Sequence, residues 1–309
     1  MKAVEKKDMF INTRWVQDNR AISVVLILLF IGCYTLSYRL IKDFFSVSRT
    51  VSKLTGIFCN TTLPPYFRAA LYKAFGTMYN VKFHEARVAN LNDFTSFNAF
   101  FTRKIKPECR PISDVNNPNS LVSPCDGTVL SLGEVNAKDS TLECIKGNNY
   151  RLDEFLFGCQ SDQGFAVCDK KLKDAKARGN KVMYLVIYLS PGDYHRFHSP
   201  ANFVTNHRRH VAGYLEPVDP RYLKTHTDVF KSNERVNLMG KWTHGFFAYC
   251  MVGATNVGSI KVNFDESLKT NSYEVTTCRD RVYTEDQPDS PNLTQDGITL
   301  EKGEEIGFF

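Results

Sequence analysis

Val182-Met183-Tyr184-Leu185-Val186-Ile187-Tyr188-Leu189 runs directly into Ser190-Pro191-Gly192-Asp193-Tyr194-His195-Arg196-Phe197-His198-Ser199-Pro200. The first stretch is a continuous apolar run of strand length, and Pro191 and Gly192 at its end argue against a helix. A strand that delivers two imidazoles and a guanidinium into a turn is an arrangement that favours function. Residues three apart in an extended chain face opposite ways, so separate tasks are expected for His195 and His198. On the residues alone, a structural role for both histidines stands beside a catalytic one.

The same β signal recurs downstream. Phe246 to Val252 is a second apolar run, and Ile260, Val262 and Phe264 alternate with Lys261 and Asn263. With glycine and proline punctuating these runs, the pattern predicts an α+β fold, a mainly antiparallel β domain with flanking helices. Residues 169–181, DKKLKDAKARGNK, read as a solvated basic loop between elements.

Upstream the period changes to helical. Thr62-Leu63-Pro64-Pro65 is a helix-start signal, after which Phe67, Leu71, Ala74, Phe75 and Met78 mark an amphipathic helix. Its apolar side suits either its own core or a bilayer surface, and proximity to the segment described next favours the bilayer. A second helix, from about Ser96 to Lys104, carries Phe94, Phe97, Phe100 and Phe101 and stops at Pro107; this stripe reads as core.

From Ala21 to Tyr38 the chain has 18 residues without a formal charge, bounded by Arg20 and Arg39. At about 1.5 Å per residue such a helix is about 27 Å long, close to the hydrocarbon thickness of a bilayer. One N-terminal transmembrane helix is expected, assigned to residues 21–41. Basic residues flank it almost equally, so charge assigns no topology. Glu5, Asp8 and Asp18 break the acid-poor pattern of an import sequence. The expected organisation is a tail at 1–20, the membrane helix at 21–41, a membrane-proximal helical region at 42–105 and a β-rich domain at 106–309.

The composition fits this plan. A 309-residue chain with 43% hydrophobic residues can bury a substantial core. Its net charge of +6 suits an anionic bilayer and is too scattered to argue for nucleic acid. Nine cysteines, with no Cys-x-x-Cys pair, indicate neither a zinc knuckle nor a disulfide framework. Asp126, in Ser123-Pro124-Cys125-Asp126-Gly127, is presented at the start of a strand, a setting compatible with a plain turn or with catalysis. Val252-Gly253-Ala254-Thr255-Asn256-Val257-Gly258-Ser259-Ile260 permits close backbone approach but lacks the features of a nucleotide loop. His195-x-x-His198 and His207-x-x-His210 could be metal-ligand pairs of a hydrolase, a weaker alternative because supporting carboxylate or cysteine spacing is not apparent.

Several of these segments form an ordered set. Phe100-Phe101-Thr102-Arg103, Arg110-Pro111-Ile112, Ser-Pro-Cys-Asp-Gly at 123–127, Lys146-Gly147 with Tyr150, Tyr194-His195-Arg196 with His198 and Pro200, Asn233-Glu234-Arg235-Val236, and the 252–260 segment occur in the order seen in phosphatidylserine decarboxylases. The chain resembles that family over roughly residues 60 to 309, and its last eight residues, Lys302-Gly303-Glu304-Glu305-Ile306-Gly307-Phe308-Phe309, resemble the approach to the family's self-cleavage site.

The resemblance implies a mechanism. Asp126 and His198 match the aspartate and histidine of an Asp-His-Ser set in which histidine accepts the serine proton, aspartate orients it and serine attacks the preceding glycine carbonyl. His195 would act at the substrate stage, as a proton carrier or carboxylate contact. The serine becomes a pyruvoyl group that forms a Schiff base with phosphatidylserine and accepts the electrons left by carbon dioxide, giving phosphatidylethanolamine. No metal is required, and the membrane segment resembles the mitochondrial inner-membrane type, another intracellular membrane being the alternative.

No Gly-Ser-Thr follows Phe309, so this chain alone is expected to be inactive. It is then either a β chain whose pyruvoyl α chain is separate or a truncated, regulatory lipid-binding form, the missing couple of residues slightly favouring truncation. The implied partners are phosphatidylserine in an anionic membrane and the α chain, with a homodimer of αβ units compatible with both.

Overall fold

The computed structural model describes residues 51–309 apart from 137–139, 144–148, 159–161, 272–277 and 284–292. The expected tail and membrane helix at 1–41, and Lys146-Gly147, lie outside the described residues. No described helix is long and apolar enough to cross a membrane. All described residues belong to one compact unit, Ser48–Phe309.

Residues 51–60 are helical, and α1 follows at Pro65–Tyr79. Pro65 occupies the first helical turn, where its missing N–H costs nothing, and Asn80 ends the helix in the left-handed region at φ 56. The core side of α1 is centred on Tyr72 and Gly76, flanked by Leu71 and Phe75. Phe67 and Met78, expected on the same stripe, are exposed. Tyr72 can take the central place because its hydroxyl donates to the Phe94 carbonyl at 3.0 Å, leaving no buried polar atom unpaired.

The second helix, α2 at Phe97–Phe101, is shorter than predicted. Ser96 caps it by accepting from Ala99 N–H, and Thr102 closes it by donating to the Asn98 carbonyl. Phe100 is fully buried and stacks on Tyr72 at 4.6 Å. The aromatic stripe is therefore core, as expected, and α2 ends where Arg103 leaves it.

Beyond Pro111 the chain forms β1 (Thr128–Glu134), β2 (Thr141–Glu143), β3 (Asn149–Arg151), α3 (Leu152–Phe157), α4 (Asp162–Ala177), β4 (Met183–Tyr188), β5 (Arg196–His198), β6 (Phe203–Val211), α5 (Val229–Ser232), β7 (Arg235–Trp242), β8 (Gly245–Val252), β9 (Lys261–Val262), β10 (Cys278–Val282), β11 (Leu293–Thr294), β12 (Gly297–Leu300) and β13 (Glu305–Phe308). The strand pairings are antiparallel. A six-stranded sheet runs β11-β12-β6-β7-β8, with β10 also on β6; a three-stranded sheet runs β5-β13-β9; β1-β4 and β2-β3 are ribbons. The α+β, mainly antiparallel architecture matches the expectation.

The large sheet is covered on both faces. One cluster joins Val236, Leu238, Met251 and Ile298 to Phe197, Val262 and Ile306 of the small sheet. Another packs Leu156, Cys168 and Leu172 of α3 and α4 with Leu223, Phe230 and Met239. Each buried side chain of this size stabilises the fold by about 1.5–3 kcal/mol. Between the layers, Arg235 donates to the carbonyls of Glu154, Phe155, Lys231 and Asn233 at 2.7–2.9 Å, and Asn237 Nδ2 donates to Leu156 O. The guanidinium thus joins the Gly158 N–H in serving the carbonyls at the end of α3, where an α-helix runs short of internal donors.

The basic loop expected at 169–181 is a correction: α4 runs through Ala177. Lysine, alanine and leucine are good helix formers, Cys168 and Leu172 share one buried face, and Lys173 pairs with Asp169 at 2.7 Å. The lysines that suggest a loop form the wet side of a helix. Only Lys261–Val262 of the 260–264 alternation is formal strand, yet Ile260, Val262 and Phe264 are buried and Lys261 and Asn263 exposed.

Candidate active site

β4 ends at Tyr188 and the chain folds into a turn closed by Asp193, whose Oδ2 accepts from Ser190 N–H at 2.7 Å. Arg103 Nη2 donates to the Gly192 carbonyl at 2.8 Å, tying this turn to the end of α2. His195 follows, 3% exposed, its ring 4.0 Å from that of Phe101. Nδ1 of His195 lies 2.9 Å from the Asp193 carbonyl, which can only accept, so Nδ1 carries the hydrogen and Nε2 holds a lone pair. Burial pushes the imidazole down to about 4, outweighing that hydrogen bond, and the Arg103 charge acts in the same direction as burial. The ring is neutral at physiological pH.

His198 is held differently. Its N–H donates to the Pro124 carbonyl, Nδ1 faces the Gly303 carbonyl at 2.9 Å and Nε2 faces the Tyr194 hydroxyl at 3.0 Å. Gly303 again can only accept, so Nδ1 is the donor and Nε2 receives the Tyr194 proton. Burial pushes Tyr194 up to about 12, keeping that hydroxyl protonated.

Gly127 has φ 136, and a Cβ there would lie 2.4 Å from the Tyr188 carbonyl, so only glycine lets the 123–127 turn settle against the end of β4. That contact brings Asp126 toward the site without placing it on His198. Asp126 is instead bound by the Nε–Nη2 edge of Arg110, which donates from Nε to Oδ1 at 2.7 Å and from Nη2 to Oδ2 at 2.6 Å, and Arg110 also donates to Glu85 at 2.9 Å. The paired fork geometry satisfies the carboxylate more fully than one imidazole could. Hydrogen bonding to Arg110 is the largest cause of the lowered Glu85 carboxyl, and the two carboxylates hold Arg110 above its ordinary value.

The segment after Leu300 completes the site. Lys302 is 5% exposed, its ammonium caged by the carbonyls of Asp114 and Asn117 and by Ser120 Oγ at 2.6–2.9 Å. Gly303 has φ 84, which aims its carbonyl at His198 while its N–H donates to Ser199 O. β13 then inserts between β5 and β9, Arg196 pairs with Glu305 at 2.6 Å, and Phe309 N–H donates to the His195 carbonyl at 3.1 Å. The chain at 303–309 therefore runs beside both histidines.

His207 pairs with Asp280 and His210 with Glu234, each at 2.8 Å on the large sheet. These imidazoles have carboxylate partners of their own, and the described residues hold no group of three or more candidate metal ligands. The 252–260 segment packs on Leu215, and its Thr255 Oγ1 donates to the Leu215 carbonyl at 2.6 Å. Arg103, Arg110, Tyr194 and Lys302 stood in the quoted motifs without an assigned task; no spacing rule gives Arg103 its bond to Gly192 or Lys302 its cage at 114–120, which exist only in the folded chain.

Two imidazoles, each with Nδ1 on a backbone carbonyl, beside an inserted strand define an acid–base site on an α+β scaffold. The family model described as phosphatidylserine decarboxylase matches residues 97–309. The mitochondrial phosphatidylserine decarboxylase proenzyme of Rattus norvegicus is 38% identical over 270 residues, 85% of this chain and 64% of that protein. The mitochondrial proenzyme 1 of Arabidopsis thaliana is 36% identical, covering 84% of this chain and 62% of its own length, and the mitochondrial proenzyme of Caenorhabditis elegans is 41% identical over 222 residues, covering 72% and 54%. The chain belongs to the phosphatidylserine decarboxylase family and spans less than two-thirds of the length of these relatives.

Proposed function

We propose that this chain is the β-chain portion of a mitochondrial, membrane-bound phosphatidylserine decarboxylase that converts phosphatidylserine to phosphatidylethanolamine and carbon dioxide. The observation that carries the reading is the course of residues 303–309, with Gly303 O on His198 and Phe309 N–H on the His195 carbonyl. A nucleophile in the residues that follow would enter the space next to the imidazole whose Nε2 is the proton acceptor.

In this reading His198 takes the nucleophile's proton, which requires the Tyr194 hydroxyl to move off Nε2 or to pass the proton on. Gly303 O, rather than Asp126, holds the ring in the needed tautomer. Asp126 with Arg110 and Glu85 supplies a fixed charge cluster that steadies the 123–127 turn beneath His198. His195, neutral and buried against Phe101, has Nε2 available to bind or move a proton at the substrate stage.

The family's pyruvoyl group, carried on the α chain, would supply an electron sink for the charge left by carbon dioxide. The residues suit such a group: Arg103 and His195 meet at the Asp193 carbonyl, and the Arg103 Nε and Nη1 donors have no partner. On the membrane side, Val51, Leu54, Ile57, Phe58, Tyr66, Phe67 and Met78 are exposed apolar residues on the two helices that follow the expected span at 21–41. Single-pass anchoring in the inner membrane and a dimer of αβ units complete the reading.

The test is to join a Gly-Ser-Thr-containing C-terminal segment to the full chain, then measure fragment formation and carbon dioxide release from carboxyl-labelled phosphatidylserine. Cleavage and release are expected, with both lost in His198→Ala. An intact fusion that neither cleaves nor releases carbon dioxide overturns the proposal. Alkaline extraction of isolated mitochondria and sedimentation of the detergent-solubilised protein test the anchor and the dimer.

A further inference from the structure

Arg103 sits at the end of α2, 4% exposed, with its guanidinium 5.6 Å from the Phe100 ring centre. Its described hydrogen bonds all leave from Nη2, to the carbonyls of Gly192 at 2.8 Å and Asp193 at 3.4 Å. Nε and Nη1 are buried and have no hydrogen-bond partner; the carboxylates of Asp126, Glu85 and Asp193 act on the guanidinium through their charge, but none of them bonds to it. A buried, unpaired cation is expensive unless something of opposite charge arrives. The aromatic face offsets only part of that cost.

The position gives the missing partner an identity. Arg103 and His195 share one acceptor, the Asp193 carbonyl, so an anion on Arg103 lies close to the neutral His195 ring. The repertoire of anions in a serine phospholipid headgroup is a carboxylate and a phosphodiester. A cation fixed on the carboxylate would stabilise the reactant more than the transition state, in which that charge is leaving. A cation on the phosphodiester binds both equally and anchors the headgroup.

We propose that Arg103 is the phosphodiester-binding residue of this site, its Nε and Nη1 receiving the headgroup phosphate while the carboxylate stays free of it. The inference rests on the decarboxylase reading for the identity of the ligand, but the anion site itself can be measured without turnover.

The experiment titrates the full chain, labelled with nitrogen-15 at arginine, with glycerophosphoserine and with glycerophosphoethanolamine. Both are expected to shift the Arg103 Nε–H signal with similar affinity. Arg103→Met should weaken both by about tenfold or more, with Arg103→Lys between, since lysine keeps the charge without the fork. Response to glycerophosphoserine alone assigns the cation to the carboxylate and overturns the proposal, as does wild-type affinity in folded Arg103→Met or an Nε–H signal that neither compound moves. If Arg103→Met fails to fold, the wild-type titration decides.

The two readings fail separately. Carbon dioxide release by the fusion with no headgroup effect at Arg103 removes the anion site alone. Saturable headgroup binding at Arg103 in a fusion that releases no carbon dioxide removes the decarboxylase reading and leaves the anion site standing.

Discussion

Two of the buried arginines, Arg235 and Arg103, are treated in opposite ways. Arg235, fully buried between the large sheet and α3, has its Nε and both terminal nitrogens donating to carbonyls. Arg103, nearly as buried, has two of its three nitrogens unpaired. The histidines differ in the partner each engages: His210 Nε2 faces the Glu234 carboxylate inside the sheet, whereas His195 Nδ1 faces a backbone carbonyl. The fold saturates the Arg235 guanidinium and leaves the Arg103 guanidinium short of partners.

The sharpest way to break this contrast is Arg235→Ala. It removes the donor that joins the carbonyls of Glu154, Phe155, Lys231 and Asn233 and leaves a large buried void, and is expected to cost about 4 kcal/mol or to prevent folding, read by urea denaturation.

A smaller effect comes from His195. The fold depresses its pKa to about 4 from 6.5, so on acidification the unfolded chain binds the proton first. The stability it contributes is complete above pH 6.5 and is lost as pH falls toward 4, about 3 kcal/mol across that window. Urea melts at pH 7 and pH 4.5 should show this loss in the wild type and a flatter profile in His195→Gln. Equal slopes would mean the ring titrates freely.

Tyr194→Phe should cost about 1 kcal/mol and leave His198 Nε2 without a donor, visible as a shift of that nitrogen in a histidine-labelled spectrum. The smallest change is expected from Met78→Ser, on an exposed residue: stability within about 0.5 kcal/mol of wild type, but weaker retention on vesicles containing anionic lipid. Unchanged retention would remove α1 from the proposed membrane face.

Periodicity was a good guide wherever one force dominated. The runs at 182–189 and 246–252 became β4 and β8, and the Phe94–Phe101 stripe became core, because burial alone decides such segments. It failed at 169–181, where a lysine-rich composition masks a helix with only Cys168 and Leu172 facing inward there. It also misjudged the face of α1, since Tyr72 looks amphipathic until its hydroxyl finds the Phe94 carbonyl.

The candidate site divides along similar lines. Asp126, His195 and His198 were legible as chemistry in turns, and all three fall near β5 and the segment before β13. Their partners were not legible, because Arg110 on Asp126 and Gly303 on His198 are separated from them by 16 and 105 residues. A local pattern cannot report a bond that exists only once distant strands have paired.

The threading of β13 between β5 and β9 sets an order of events during synthesis. Both neighbours leave the ribosome first, and until residues 303–308 emerge His198 has no Gly303 carbonyl to steady its ring and the small sheet has a gap at its centre. A partly translated polypeptide therefore lacks a correctly poised base, and any reaction that depends on it must wait for the late-arriving strand to dock.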